Sequence, residues 1–296
     1  MKKAVVVATI AGAACAAFGG NVQLSNGSGL VVQVQNNGAH NVVFGGRDYF
    51  SPGTPVGQFF MQNGTGSGTF ATAPLTNTPT VNPGTVVGNL TVTTGSFVSG
   101  SVASTLLRYV SIAGVVEVER NISILPGLNV VMTQTTIRSI TATMSDFRFG
   151  ETYDPDQGNF SSSTYNDRFT AYGGEAMRAR DLAGRTVVSG VSPVGGFGVG
   201  GFGLSINTGS EVNNLFNGTA TDPNDAYSDV GYALAFRTSL TPGQVVNWTL
   251  YHAFGDTEAA AMSGFNQAMT VIPLPSGVAM AGACLFGLGT IRRRRA

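Results

Sequence analysis

Between Ser104 and Phe254 the chain returns repeatedly to short runs rich in β-branched residues, each closed by glycine, proline, asparagine or aspartate. "STLLRYVSI", "GVVEVERNISI" and "LNVVMTQTTI" follow one another closely. Such runs favour strands, whose side chains alternate between two faces. In "VEVER" apolar and charged residues alternate, which predicts a strand with one wet face. "SITATMSDFRF" alternates too, but its apolar phase slips at Ser145–Asp146. A slip of one residue exchanges the faces, so a bulge is expected there. In "DVGYALAFRT", Val230, Tyr232, Leu234 and Phe236 share one face, with small residues on the other. In "QVVNWTLYHAF", Val246, Trp248, Leu250, His252 and Phe254 share one face. Both read as core strands. Only "GDTEAAAMSGFNQAM" makes a good helix, with Asp256 as its cap and alanines in its body. The pattern implies an all-β fold, an antiparallel β-sandwich of jelly-roll or immunoglobulin-like kind, with one short helix before a C-terminal membrane helix. The absence of a repeat of 20–50 residues argues against a propeller or solenoid.

Charge narrows the partners. Sixteen Lys and Arg balance sixteen Asp and Glu, but not evenly along the chain. Lys2 and Lys3 lie at one end and Arg292, Arg293, Arg294 and Arg295 at the other. The part between holds ten arginines and all sixteen acidic residues, a net of −6. An acidic, lysine-free body is unsuited to nucleic acid, whose phosphates need Lys and Arg. Cys15 and Cys284 both fall in terminal apolar runs, so the body has no disulfide, thiolate metal site or cysteine nucleophile.

Residues 1–17 combine a basic start, an apolar core and small residues, the pattern of a secretory signal peptide. Residues 18–255 form the expected secreted body, of which 49–83 is loop-rich and uncharged. In this reading a strand follows at "TVVGNLTVTT". Residues 256–271 are a short helix and linker, and 272–296 a tail with an apolar helix just long enough to span a membrane. The arginines after it would stay on the cytoplasmic side.

The tail "VIPLPSGVAM", with Pro273, Leu274 and Pro275, its apolar run and its arginine cluster, resembles the PEP-CTERM class of bacterial sorting signals in its VPLPA variant. Leu274 stands where the commoner form has Glu, and Ser276 where the variant usually has Ala. The resemblance implies passage through the secretion translocon and transient anchoring in the inner membrane. It further implies processing by an exosortase near the prolines, and a place at the cell surface or in the extracellular matrix, often with exopolysaccharide or biofilm. The run "TMSDFRFGETYDPDQGNFSSSTYND" also resembles secreted β-domains ahead of such tails, through Asp154, Pro155, Asp156 and Gln157. That implies a surface β-domain and no particular chemistry.

Calcium is the cofactor the residues best suggest. Asp154 and Asp156 alternate on one turn, and "TDPNDAYSD" offers Asp222, Asp225 and Asp229 on another. Five carboxylates could converge on a hard cation if the fold joins the turns. Asn159 and Tyr165 stand where an EF-hand loop needs Gly and Glu, so this is no EF-hand. Asp-Pro and Asn-Asp are equally ordinary turn chemistry. Gly198, Gly200 and Gly203 match G-x-G-x-x-G, but a strand and turn follow rather than a helix, so a flexible loop is expected instead of a nucleotide site. No G-x-S-x-G elbow occurs, and His252 falls on an apolar face as a structural histidine would. Glu117, Glu119 and Arg120 read as cross-strand ion pairs on a wet face. The expected role is structural or adhesive and not enzymatic. The alternative is a calcium-assisted carbohydrate-binding module, with Tyr153, Phe160, Tyr165 and Tyr172 as candidate sugar-stacking rings.

Overall fold

The strand Val116–Ile124 buries every second residue, the alternation that its sequence prescribes. The same rule organises most of the molecule. A computed structural model describes residues 22–34, 40–50, 58–64, 70–73, 85–86, 96–100, 104–110, 116–141, 143–155, 157, 163–191, 197–202, 209–219 and 222–270. In chain order the elements are β1 (Val22–Ser25), β2 (Leu30–Val34), β3 (His40–Phe44), β4 (Arg47–Asp48), β5 (Gln58–Asn63), β6 (Phe70–Ala73) and β7 (Thr85–Val86). Then come β8 (Ser96–Gly100), β9 (Ser104–Val110), β10 (Val116–Ile124), β11 (Val130–Ser139), β12 (Met144–Tyr153), β13 (Thr164–Ala171), β14 (Gly174–Arg180), β15 (Thr186–Val191) and β16 (Phe197–Phe202). The helix α1 (Gly209–Phe216), β17 (Ala226–Ser228), β18 (Tyr232–Leu240), β19 (Val245–Gly255) and the helix α2 (Glu258–Thr270) complete the order.

The strands form three antiparallel sheets. One runs β1-β2-β3-β4, a second β17-β13-β14-β15-β19-β11-β10-β9-β8, and a third β16-β18-β12-β5-β6-β7. The all-β expectation holds. The nine-stranded sheet alone equals the roughly seven to nine strands of a whole immunoglobulin-like or jelly-roll domain. The expected register slip is present, between Met144 and Phe147 of β12.

The inner faces meet in one apolar cluster fed by all three sheets. At its centre Trp248 of β19 stacks on Phe236 of β18 at 5.0 Å and on Phe149 of β12 at 6.0 Å. Stacked rings carry large buried areas and pack the nine- and six-stranded sheets face to face. Leu24, Leu30, Val32, Val42 and Phe44 bring the four-stranded sheet onto the same core.

Two outer faces are covered by helices. Ala261, Phe265 and Ala268 of α2 pack on Ala176, Val188, Tyr251 and Ala253 of the nine-stranded sheet. Burying Phe265 contributes about 2 kcal/mol. Gly190 makes room for it, because a Cβ there would stand 2.5 Å from the Phe265 ring. Val212 and Leu215 of α1 cover Ala233, Ala235 and Phe60 of the six-stranded sheet. Arg148 of β12 fastens α1 by donating to Asn213 at 2.5 Å, and it also donates to Gln62 of β5 at 3.2 Å.

Four local expectations need correction. Within the uncharged stretch 49–83, where loop was expected, the described residues include two strands, β5, which pairs with β12, and β6. "LSINTGSEVN", expected as a strand and turn, runs into a helix, α1, at Gly209. The glycine-rich run through Gly198 and Gly200 is the strand β16, not a loop, and its glycines admit Val191 and Met177 at close range. Arg120 leaves the wet face for the core. The signal segment 1–17, most of "TVVGNLTVTT" and the tail with Pro273, Leu274, Pro275 and Arg292 to Arg295 lie outside the described residues. Among the described residues no helix is long and apolar enough to cross a membrane.

Candidate functional site

Among the described residues, two of the gatherings of polar side chains are candidate sites, one buried and one at a sheet edge. The buried group lies where the three sheets meet. Ser189 of β15 and His252 of β19 are register partners, and His252 Nδ1 lies 2.7 Å from Ser189 Oγ. Ser189 Oγ in turn lies 2.5 Å from the Tyr232 hydroxyl of β18, across the sheet interface. Beside this chain, Arg120 of β10 donates to Glu151 Oε1 of β12, and the Tyr153 hydroxyl donates to Glu151 Oε2. The Arg120 guanidinium also lies 5.1 Å from the Phe59 ring. His40, at the start of β3, packs against Tyr153 and His252 with ring centroids 5.7 and 6.1 Å away.

Burial sets the electrostatics. His40, Arg120, Glu151, Ser189 and His252 are each at most 1% exposed. The His252 imidazole is pushed down to about 3, by burial first and then by Arg120. His40 is held well below the ordinary range by the same two causes and by His252. Both rings are therefore neutral at pH 7. Burial also pushes up the Tyr153 and Tyr232 hydroxyls, so both stay protonated. Ligand atoms of His40, Glu151 and His252 lie within 4.8 Å of one another.

The second group occupies the outer face of the nine-stranded sheet, beyond the N-terminal end of α2. Tyr227 of β17, Tyr165 of β13 and Arg180 of β14 stand in one row across three strands. The two tyrosine rings are 5.0 Å apart, and Arg180 lies 4.8 Å over the Tyr165 ring. The next row pairs Asp167 with Arg178 at 2.9 Å. Arg178 also bonds Glu258 of α2, and Asp225 lies 3.5 Å from Arg180. Tyr227 is 46% exposed, so the row opens to solvent. A type I′ turn presents it: Asn224 and Asp225 hold φ at 53° and 59°, and the Ala226 amide donates to the Pro223 carbonyl at 3.0 Å. Asx residues tolerate that conformation, which explains "PNDA".

The five acidic residues singled out for calcium are distributed over different roles. Asp154 is half-buried and close enough to Asp229 to be raised by it. Asp222 caps its own turn by accepting from the Asn224 amide at 2.9 Å. Asp225 lies against Arg178 and Arg180. Asp156 lies outside the described residues, as does Phe160. Gln157 is buried and donates to the carbonyls of Ala179 and Arg185, which makes it a tie between strands. Of the candidate rings, Tyr153 is buried, Tyr165 is half-buried in the edge row and Tyr172 is exposed at the β13–β14 turn. Tyr227 was not singled out in the sequence, although "AYS" next to the acidic turn carries it.

No protein-family model matches the chain, and no curated protein matches it. Solved structures do. A bacterial glucoamylase complexed with acarbose is similar at a TM-score of 0.59 with 11% identity, over 86% of this chain and 34% of that one. Heparinase III is similar at 0.48 with 8% identity, over 82% and 36%. A heparan sulfate lyase mutant from Pedobacter heparinus is similar at 0.43 with 9% identity, over 79% and 36%. The chain thus spans about a third of the length of these structures. The first likeness establishes a shared fold; the other two fall below a TM-score of 0.5. The expectation that the chain is no enzyme is corrected accordingly. The fold occurs within a carbohydrate-processing enzyme, so the lack of a hydrolase motif does not set catalysis aside.

Proposed function

We propose that this chain is a carbohydrate-binding β-sandwich, exported to the cell envelope, that grips a glycan at the β17 edge. The observation that carries the reading is the row Tyr227–Tyr165–Arg180, open to solvent at Tyr227, with Asp225, Asp167 and Arg178 beside it. Aromatic faces give an apolar floor, and a few placed charged groups fix the orientation of a polar ligand. Carboxylates accept from sugar hydroxyls and guanidinium groups donate to them. The fold shared with a glucoamylase complexed with acarbose supports the same class of ligand.

Titration calorimetry against a panel that includes α-glucans tests the platform. Binding is expected, with Tyr227→Ala weakening it about tenfold, the worth of roughly 1.4 kcal/mol, while the thermal midpoint stays unchanged. Binding that survives Tyr227→Ala intact would remove the site. Chromatography of the same mixtures reads whether any glycan is cleaved. Calcium is a variable of the panel: binding that strengthens with it and loses that gain in Asp229→Asn assigns the cation to the Asp154–Asp229 pair.

The sorting part of the reading rests on the tail. Exosortase processing predicts a mature C-terminus near Pro273–Ser276. Mass spectrometry of the natural protein checks it, and an intact "RRRRA" terminus contradicts it.

A further inference from the structure

Glycan recognition at the edge makes no use of the buried cluster. We propose that His40, Glu151 and His252 bind a divalent transition-metal ion of the zinc class, through the two imidazole Nε2 atoms and a carboxylate oxygen.

Two independent observations point there. One potential ligand atom from each residue already lies within 4.8 Å of the other two, although the residues come from β3, β12 and β19 in three different sheets. Ligands on a tetrahedral zinc stand about 3.3 Å apart, given nitrogen and oxygen distances of about 2.0–2.2 Å. Binding an ion would draw the three ligand atoms together from that spread. Separately, the Nε2 atoms of His40 and His252 have no hydrogen-bond partner, although both residues are buried. A buried polar atom without a partner is rare in a folded protein and calls for a group that satisfies it.

The surroundings fit a metal ligand. His252 is oriented through its other nitrogen by Ser189, which is held in turn by Tyr232. With Nδ1 donating to Ser189, Nε2 keeps a bare lone pair, which is how metal-bound imidazoles are fixed in tautomer and direction. Glu151 accepts from Arg120 and Tyr153, yet each carboxylate oxygen has two lone pairs and capacity remains.

Arg120 decides the class of ion. It balances Glu151 and its charge disfavours a cation at the imidazoles, so only an ion that bonds strongly to nitrogen is held. Hard cations such as calcium and magnesium need several oxygen ligands and gain little here. Ions that bond well to imidazole, zinc above all, gain most. Because the cluster is buried, the ion enters as the chain folds, so that binding and folding are coupled.

The test uses the full, untagged chain, refolded from denaturant with one equivalent of zinc or with chelator, then desalted. Elemental analysis is expected to give one zinc per chain, and the zinc-refolded protein melts at the higher temperature. Cobalt in place of zinc is expected to show the absorption of a nitrogen–oxygen site. A thiolate charge-transfer band would assign the metal to Cys15 or Cys284 and overturn the proposal. His40→Ala and His252→Ala each abolish retention. Ser189→Ala leaves all three ligands and removes the orienting bond, and is expected to weaken retention about 10- to 100-fold. If the histidine variants do not fold, the wild-type stoichiometry and cobalt spectrum decide alone. Folded wild-type protein that retains no zinc, or a folded His40→Ala that retains it fully, overturns the assignment.

Discussion

Asp154 sits half-buried just past the end of β12, and its carboxyl is pushed up to about 6 from an ordinary 3.8. Burial is the larger cause, and the Asp229 carboxylate adds to it. Folding therefore holds this proton more tightly than the unfolded chain does. The resulting stabilisation is complete below 3.8 and is lost as pH rises through about 6. A gap of about two units sets a ceiling near 3 kcal/mol. Asp154 keeps part of its surface in water, and solvent screening leaves about 1–2 kcal/mol. Thermal melts across pH 4 to 7 should show wild type losing stability relative to Asp154→Asn as pH rises, with Asn the more stable at pH 7. Parallel profiles for the two proteins would mean that Asp154 itself is too well solvated for its burial or for Asp229 to matter. The sequence did place Asp154 and Asp229 on two acidic turns. It could not show that Asp225 answers arginines on β14, because that pairing is set by the β13–β14 register.

At the level of elements, strands with a strong contrast between their faces were legible. In "VEVERNISI" the period puts Val116, Val118, Ile122 and Ile124 inside, and the structure agrees. The same period puts Arg120 inside. Its charge argued for water and its phase argued for the core. Phase won because Glu151, on another sheet, meets it there. β19 was legible on its inner face only. Tyr251 and Ala253 on the outer face are buried because α2 lies over them, which no local pattern announces. β5 and β6 were obscured because the stretch 49–83 carries no charge, so polar and apolar faces lack contrast. α1 is eight residues long, too short to be stable alone, and forms because Val212 and Leu215 dock on Ala233 and Ala235. His252 was recognisable as a residue of the inner face of its strand. Its partners Ser189 and His40 were not, since β15 and β3 lie far from it in sequence.

For the whole molecule, the Arg120–Glu151 pair is a joint between the nine- and six-stranded sheets, and Tyr153 belongs to it. Removing two charges from water is costly, and their attraction and hydrogen bonds roughly offset that cost. The pair is therefore a weak source of net stability but a severe liability when halved. Arg120→Met in metal-free protein leaves Glu151 buried beside the Tyr153 hydroxyl with no cation, and is expected to cost about 3–5 kcal/mol. The triple variant Arg120→Met, Glu151→Met, Tyr153→Phe removes every member of the group at similar volume. It is expected to return to within about 1–2 kcal/mol of wild type, because the site is already walled by Phe59 and Phe149. Denaturant melts of the single and triple variants measure both. If the triple variant is as unstable as the single, the pair is a net stabiliser and the sheets depend on its hydrogen bonds. If it recovers, the stacked rings around Trp248 hold the sheets together. The charged group would then be retained for what it does at the meeting point of the three sheets rather than for stability.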